Sequence, residues 1–123
     1  MPDRIRISIK TKFIEEQSSI EENRFVYAYN ILIENIGREA AQLISRKWTI
    51  TDAKGAIQEV QGLGVIGEQP RIEPGQSYRY TSGAVLATDS GIMEGEYTMQ
   101  QDDGTEFSAD IPAFSLVKPS ALH

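Results

Sequence analysis

The residues with the most chemical promise are three glycines in the run EVQGLGVIGEQP. Gly62, Gly64 and Gly67 spell G-x-G-x-x-G, the spacing that lets a backbone approach a pyrophosphate. Such a loop makes a nucleotide or polyphosphate site where a strand leads in and a helix comes after it, because the helix N-terminal amides receive the phosphates. Residues 57–60 supply the strand. Pro70, Pro74 and Gly75 leave no uninterrupted stretch for the helix. Asp89 stands downstream where a ribose-binding acid belongs, yet no βαβ pattern accompanies it. Gly62 and Gly67 also have Walker A spacing, but Glu68 and Gln69 take the places of its Lys and Ser or Thr, so the charge is reversed. What remains for an anion is a nest of successive backbone amides. The alternative is that the glycines shape a bulge, a tight turn or a close strand contact.

Other reactive groups are sparse. The chain has no cysteine, which removes disulfides, thiolate metal sites and cysteine nucleophiles together. Its one histidine, His123, sits at the C-terminal end, where a base is hard to orient. Asp102, Asp103 and Glu106 gather at one turn as a weak divalent-cation candidate, without the glycine and spacing of an EF-hand; the alternative is a solvated hairpin tip. The expectation is no catalytic residue, no metal site and no cofactor.

The elements that must position these groups read as strands. Ile5, Ile7, Ile9 and Phe13 alternate with Arg4, Arg6, Ser8, Lys10 and Lys12, a half-buried strand. Residues 24–35, RFVYAYNILIEN, are aromatic and β-branched and suit a central strand. A turn at Asn35, Ile36 and Gly37 leads to a strand over 42–51, with Ile44, Trp48 and Ile50 on one face and Leu43, Ser45, Lys47 and Thr49 on the other. Shorter strands are expected over 56–60 and 77–85, then a hairpin of 93–101 and 105–115 about Asp103 and Gly104. Pro112 argues that the last strand is an edge or carries a bulge. No long helical periodicity, internal repeat or linker interrupts this pattern, so an all-β sandwich or barrel is expected as one domain over 1–123.

Three local patterns favour an antiparallel immunoglobulin-like sandwich of about seven or more strands. Gly95, Tyr97 and Met99 have the form of a tyrosine corner, with Met99 where antibody domains carry cysteine. Trp48 falls on the third long strand, as a core anchor between sheets. Ile72 to Tyr80, IEPGQSYRY, starts a new strand after a Pro-Gly turn. Trp48, Tyr97 and Met99 are therefore the core candidates.

Composition narrows the partners. The 123 residues carry a net charge of −6. The acids Asp89, Glu94, Glu96, Asp102, Asp103, Glu106 and Asp110 face only Lys118 in the C-terminal third. An anionic body repels nucleic acid and anionic lipid, so neither is expected as a partner. Charges at Arg4, Arg6 and Lys10 break the N-terminal apolar stretch, and a cytoplasmic protein is expected.

The run from EVQGLGVIGEQP through IEPGQSYRYTSGAVLATDSGIMEGEYTMQ resembles the core of bacterial ApaG proteins. The likeness extends to Glu15, Glu16, Gln17 and Ser18, to RFVYAYNILIENIG, to Arg46 through Trp48 and to IPAFSLVKP. It implies a fibronectin type III or immunoglobulin-like sandwich. ApaG genes neighbour a diadenosine tetraphosphate hydrolase and were connected to cobalt and magnesium efflux, and related domains occur in eukaryotic interaction proteins. The resemblance thus implies a non-enzymatic accessory or protein-interaction module. The alternatives are nucleotide or polyphosphate binding at Gly62, Gly64 and Gly67, or weak divalent-cation binding.

Overall fold

The computed structural model describes residues 4–119; Met1 and His123 lie outside the described residues. Eight strands succeed one another in chain order: β1 (Ile5–Phe13), β2 (Phe25–Asn35), β3 (Ala41–Asp52), β4 (Ile57–Leu63), β5 (Arg71–Ile72), β6 (Ser77–Leu86), β7 (Ser90–Gln101) and β8 (Glu106–Val117). A short 3₁₀ turn, Glu15–Gln17, lies between β1 and β2. One sheet has the order β1-β2-β6; the other has the order β4-β3-β7-β8, with the short β5 beside β4 on the same edge of β3. Every pairing is antiparallel. The molecule is an all-β sandwich.

Apolar alternation explains the layers. On β2 the odd-numbered residues from Phe25 to Asn35 are all buried, so this central strand offers one continuous inner face. Trp48 on β3 bridges the sheets, its ring edge-on to Tyr29 of β2 at 5.4 Å and to Phe114 of β8 at 5.9 Å. Edge-to-face contacts of this kind add about 1 kcal/mol beyond area burial. Gly95 makes room for the neighbouring strand β3: a Cβ there would stand 2.1 Å from the Lys47 carbonyl oxygen and 3.1 Å from Trp48 Cε3. Trp48, Tyr97 and Met99 are 2 %, 0 % and 0 % exposed.

Two irregularities change side-chain faces. On β3 the register against β7 shifts between Leu43 and Ser45. An extra residue in one strand inverts the faces of the residues beyond it, so Leu43 joins Trp48 and Ile50 in the core while Ile44 is only partly buried. This corrects the simple alternation expected over 42–51, which set Leu43 on the face opposite Trp48. On β8, Pro112 and Ala113 together face one residue of β7, because Met93 pairs with Phe114 and Gly95 with Ile111. Pro112 therefore lies both on an edge strand and in a bulge, where its missing amide costs no ladder bond.

Strands β1 and β8 run beside one another and close one side of the sandwich. The other side is open: β4 and β6, each paired on one flank only, face each other across a cleft.

Candidate functional site

The glycine loop comes directly after β4 and folds back as a tight hairpin. Val65 and Glu68 exchange both backbone hydrogen bonds, at 2.8 and 2.9 Å, around the two-residue turn Ile66-Gly67. Ile66 has φ 47° and Gly67 φ 76°, the left-handed pair that a type I′ turn demands. Gly67 adopts this freely; a β-branched residue does not, and Ile66 is a backbone outlier. Gly64, at φ 61°, approaches the returning chain so closely that a Cβ would fall 2.1 Å from the Glu68 carbonyl oxygen.

Much of the loop's backbone is engaged internally. The bulge at Ile44 presents its carbonyl to the Gly64 amide at 2.8 Å and to Gln69 Nε2 at 2.9 Å. The amides of Gly64, Val65 and Glu68 are thus hydrogen-bonded to carbonyls of the chain. No helix succeeds the loop among the described residues. The carbonyls of Leu63 and Gly64 accept from Arg46 Nη1 at 3.2 and 2.8 Å. The guanidinium lies over Gly62, where a Cβ would meet Nη1 at 2.9 Å. Gly62 and Gly64 therefore carry the chain past a cation that the protein itself supplies, while Gly67 serves the turn beyond it. An anion nest needs converging amides that are free.

Beside this loop the β4 edge exposes large apolar residues. Ile57 is 66 % exposed, Leu63 74 % and Ile66 62 %. Ile57 and Ile92 pair with the same residue of β3, Thr51, so they flank one position of the outer face. That face also carries Glu59 and Glu94 opposite Thr49, and Glu96 opposite Asp110. The cleft between β4 and β6 holds about 360 Å³ and is lined by Tyr29, Trp48, Gln58, Val60 and Ser82. Trp48 Nε1 is buried without a hydrogen-bond partner.

Deeper in the core, the Tyr80 and Tyr97 hydroxyls meet at 2.5 Å. Tyr97 lies well inside β7 and its hydroxyl bonds a side chain of the opposite sheet, whereas a tyrosine corner bonds the backbone. Burial pushes both phenols well above the usual tyrosine range, and for Tyr97 the neighbouring Tyr80 adds to it. Tyr27 donates to the Asp89 carbonyl at 2.7 Å and is pushed up to about 12 by burial and then by the Asp89 charge.

The acidic turn is held by Arg71 of β5 and by its own backbone. Asp102 takes two bonds from Arg71, at 2.9 and 2.5 Å, and these hold its carboxyl below the ordinary range. Asp103 accepts the Thr105 amide at 2.9 Å, which lowers it too. Among the described residues no three His, Cys, Asp or Glu side chains gather as a metal site requires. No helix among them is long and apolar enough to cross a membrane.

Sequence motifs mark the glycines but not the groups around them: Arg46, Ile57, Leu63 and Ile66. One signal was present. An Ile-Gly pair stands where a two-residue turn prefers Asn-Gly.

Two antiparallel sheets over a shared aromatic core, with unpaired edges at β4 and β6 facing one cleft, define a small β-sandwich domain. The chain belongs to the ApaG family: the ApaG domain matches residues 15–101. It is 58 % identical over 116 residues to the protein ApaG of Maricaulis maris, covering 94 % of this chain and 89 % of that one. It is 54 % identical over 119 residues to the ApaG of Thiobacillus denitrificans, covering 97 % and 94 %. Among solved structures, the putative ApaA protein of Bordetella pertussis superposes with a TM-score of 0.91 at 41 % identity, covering 94 % of each chain. A structural-genomics X-ray structure superposes at 0.94 with 48 % identity, covering 99 % of this chain and 92 % of that one.

Proposed function

We propose that the protein is a non-enzymatic, cytoplasmic protein-interaction module, and that it receives an extended segment of a partner along the free edge of β4. An unpaired strand edge offers main-chain donors and acceptors for an added strand, while alternate side chains of the added strand find specificity pockets. The observation that carries the reading is the exposure of Ile57, Leu63 and Ile66 along one edge and its turn, with Ile66 held in a conformation that β-branched residues avoid. Strain of this kind persists where a function requires the side chain. The strand order β1-β2-β6 against β4-β3-β7-β8 supports an immunoglobulin-like sandwich, a scaffold that commonly binds through edges and loops.

The site also describes its occupant. A strand added beside β4 points every second side chain toward the cleft over Tyr29 and Trp48, whose aromatic rings offer it an apolar floor. Its other side chains extend the outer face, where Glu59 is the charged residue of β4 and Glu94 and Glu96 lie two strands away beyond Lys47, so a partner with Lys or Arg opposite Glu59 fits best. Affinity capture with the wild-type chain, a Leu63→Asp/Ile66→Asp variant and a control variant distant from β4, Glu106→Lys, tests this. The expected result is a reproducible partner retained by wild type and control, lost by the edge variant, and released more readily as salt rises. Equal capture by all three proteins overturns it.

A further inference from the structure

A second cavity, of about 480 Å³, lies where the start of β1, the β2–β3 loop and the β7–β8 hairpin meet. None of its lining residues belongs to β4 or to the glycine loop. Arg4, Asn35, Ile36, Arg38, Gln101 and Phe107 line it, and its size suits a small molecule.

Arg4 is held in place by its surroundings. Its carbonyl accepts the Ile36 amide at 2.9 Å, and its guanidinium stacks over the Phe107 ring, 4.5 Å from the centroid. The loop that fixes its backbone is itself fixed by Asn35, which is almost fully buried. Asn35 Nδ2 donates to the carbonyls of Glu39 at 2.8 Å and Ile72 at 2.9 Å, and Oδ1 accepts the Gly37 amide at 2.9 Å. The frame is therefore rigid, with every polar atom of the Asn35 side chain in use.

The guanidinium is not satisfied in the same way. Arg4 Nη1 is buried without a hydrogen-bond partner. Among the described residues the ion pairs join Arg6 to Glu34 and Arg71 to Glu73 and Asp102; neither Arg4 nor Arg38 forms one. A buried donor on a charged group is costly to leave unpaired, so the guanidinium retains hydrogen-bonding capacity for an acceptor that enters the cavity. A planar fork of N–H donors on an aromatic shelf suits a planar carboxylate, which it meets with parallel hydrogen bonds.

Charge and surface narrow the ligand. The lining includes the cations Arg4 and Arg38 and one carboxylate, Glu39, so a single negative charge balances the cavity whereas a phosphate dianion leaves an excess beside Glu39. Ile36, Ala41 and Phe107 provide an apolar wall for the rest of the molecule. We propose that this cavity binds a small-molecule carboxylate with an apolar body, its carboxylate accepting from the Arg4 guanidinium and Arg38 adding the second positive charge.

The test is an NMR titration of the full chain with benzoate, following the Arg4 side-chain N–H signal and the amides of Ile36 and Gly37. Neutral benzamide and inorganic phosphate are the matched comparisons. A saturable benzoate shift, absent with benzamide and weaker with phosphate, is expected at millimolar concentrations. Arg4→Gln should weaken it roughly tenfold. Arg38→Ala, on an exposed loop position, should weaken it several-fold while leaving the strand amides in place. No saturable benzoate shift, an equal shift with benzamide, a stronger one with phosphate, or an unchanged affinity in Arg38→Ala and Arg4→Gln overturns the proposal.

Discussion

Arg46 Nη1 donates to the Gly64 carbonyl oxygen at 2.8 Å, which joins the middle of β3 to the middle glycine of the G-x-G-x-x-G run. The loop thus turns carbonyl oxygens toward a guanidinium, the electrostatic inverse of a phosphate cradle. Replacing Arg46 by Met keeps an aliphatic stem over Gly62 but removes the donor to Leu63 and Gly64. The expected cost is about 1–2 kcal/mol in denaturant unfolding, with faster hydrogen exchange confined to the loop.

The glycines of the motif are expected to differ sharply. Gly64→Ala combines a left-handed backbone with a Cβ 2.1 Å from the Glu68 carbonyl, so it should cost at least about 3 kcal/mol. Gly67→Ala has the same backbone constraint, but nothing lies within 4 Å of its Cβ, and it should cost only about 1 kcal/mol. Urea unfolding of the two variants checks the order.

The Tyr80–Tyr97 pair should behave as a unit. Tyr97→Phe leaves the Tyr80 hydroxyl buried without the partner 2.5 Å away, costing about 1–2 kcal/mol, and Tyr80→Phe does the converse. Removing both hydroxyls together leaves no orphan, so the double variant should be more stable than the sum of the singles implies. A double-mutant cycle should return a coupling of about 1 kcal/mol.

Alkaline stability depends on the same burial. The folded state raises Tyr27 to about 12 and holds Tyr80 and Tyr97 higher still, against about 10 for an unfolded tyrosine. Above pH 10 the native state binds more protons than the unfolded one, so stability is complete below that pH and falls as pH rises through the window. Equilibrium unfolding measured across this range should show the decline, shallower in a Tyr27→Phe variant because one of the titrating groups is gone.

Ile66 should trade stability for binding. Ile66→Asn places the preferred residue in the type I′ turn and relieves the strained φ of 47°, so it should stabilise by about 1 kcal/mol. It also removes an apolar side chain that is 62 % exposed, and partner capture should weaken. Thermal melts and capture yields on the same protein check both halves.

The strands were legible because alternation and β-branched content leave little choice: β1, β2 and β6–β8 lie close to where residue pattern puts them. Leu43 was not, because a one-residue bulge leaves no mark in hydropathy while inverting the face of everything beyond it. The site divides in the same way. Three glycines advertise a sharp turn, but the Arg46 bond depends on a contact across two strands that no local window contains. The β4 edge was hidden for a further reason, since whether Ile57 and Leu63 are core or surface depends on which strand pairs with the other flank.

Hydrogen exchange by mass spectrometry, with and without the captured partner, tests strand addition at β4 most directly. Strand addition predicts slowed exchange across Ile57–Leu63 and the Ile66 turn on binding, with residues 102–105 of the β7–β8 turn unchanged. Protection confined to that turn or to the β2–β3 loop, with β4 amides exchanging as in the free protein, contradicts it.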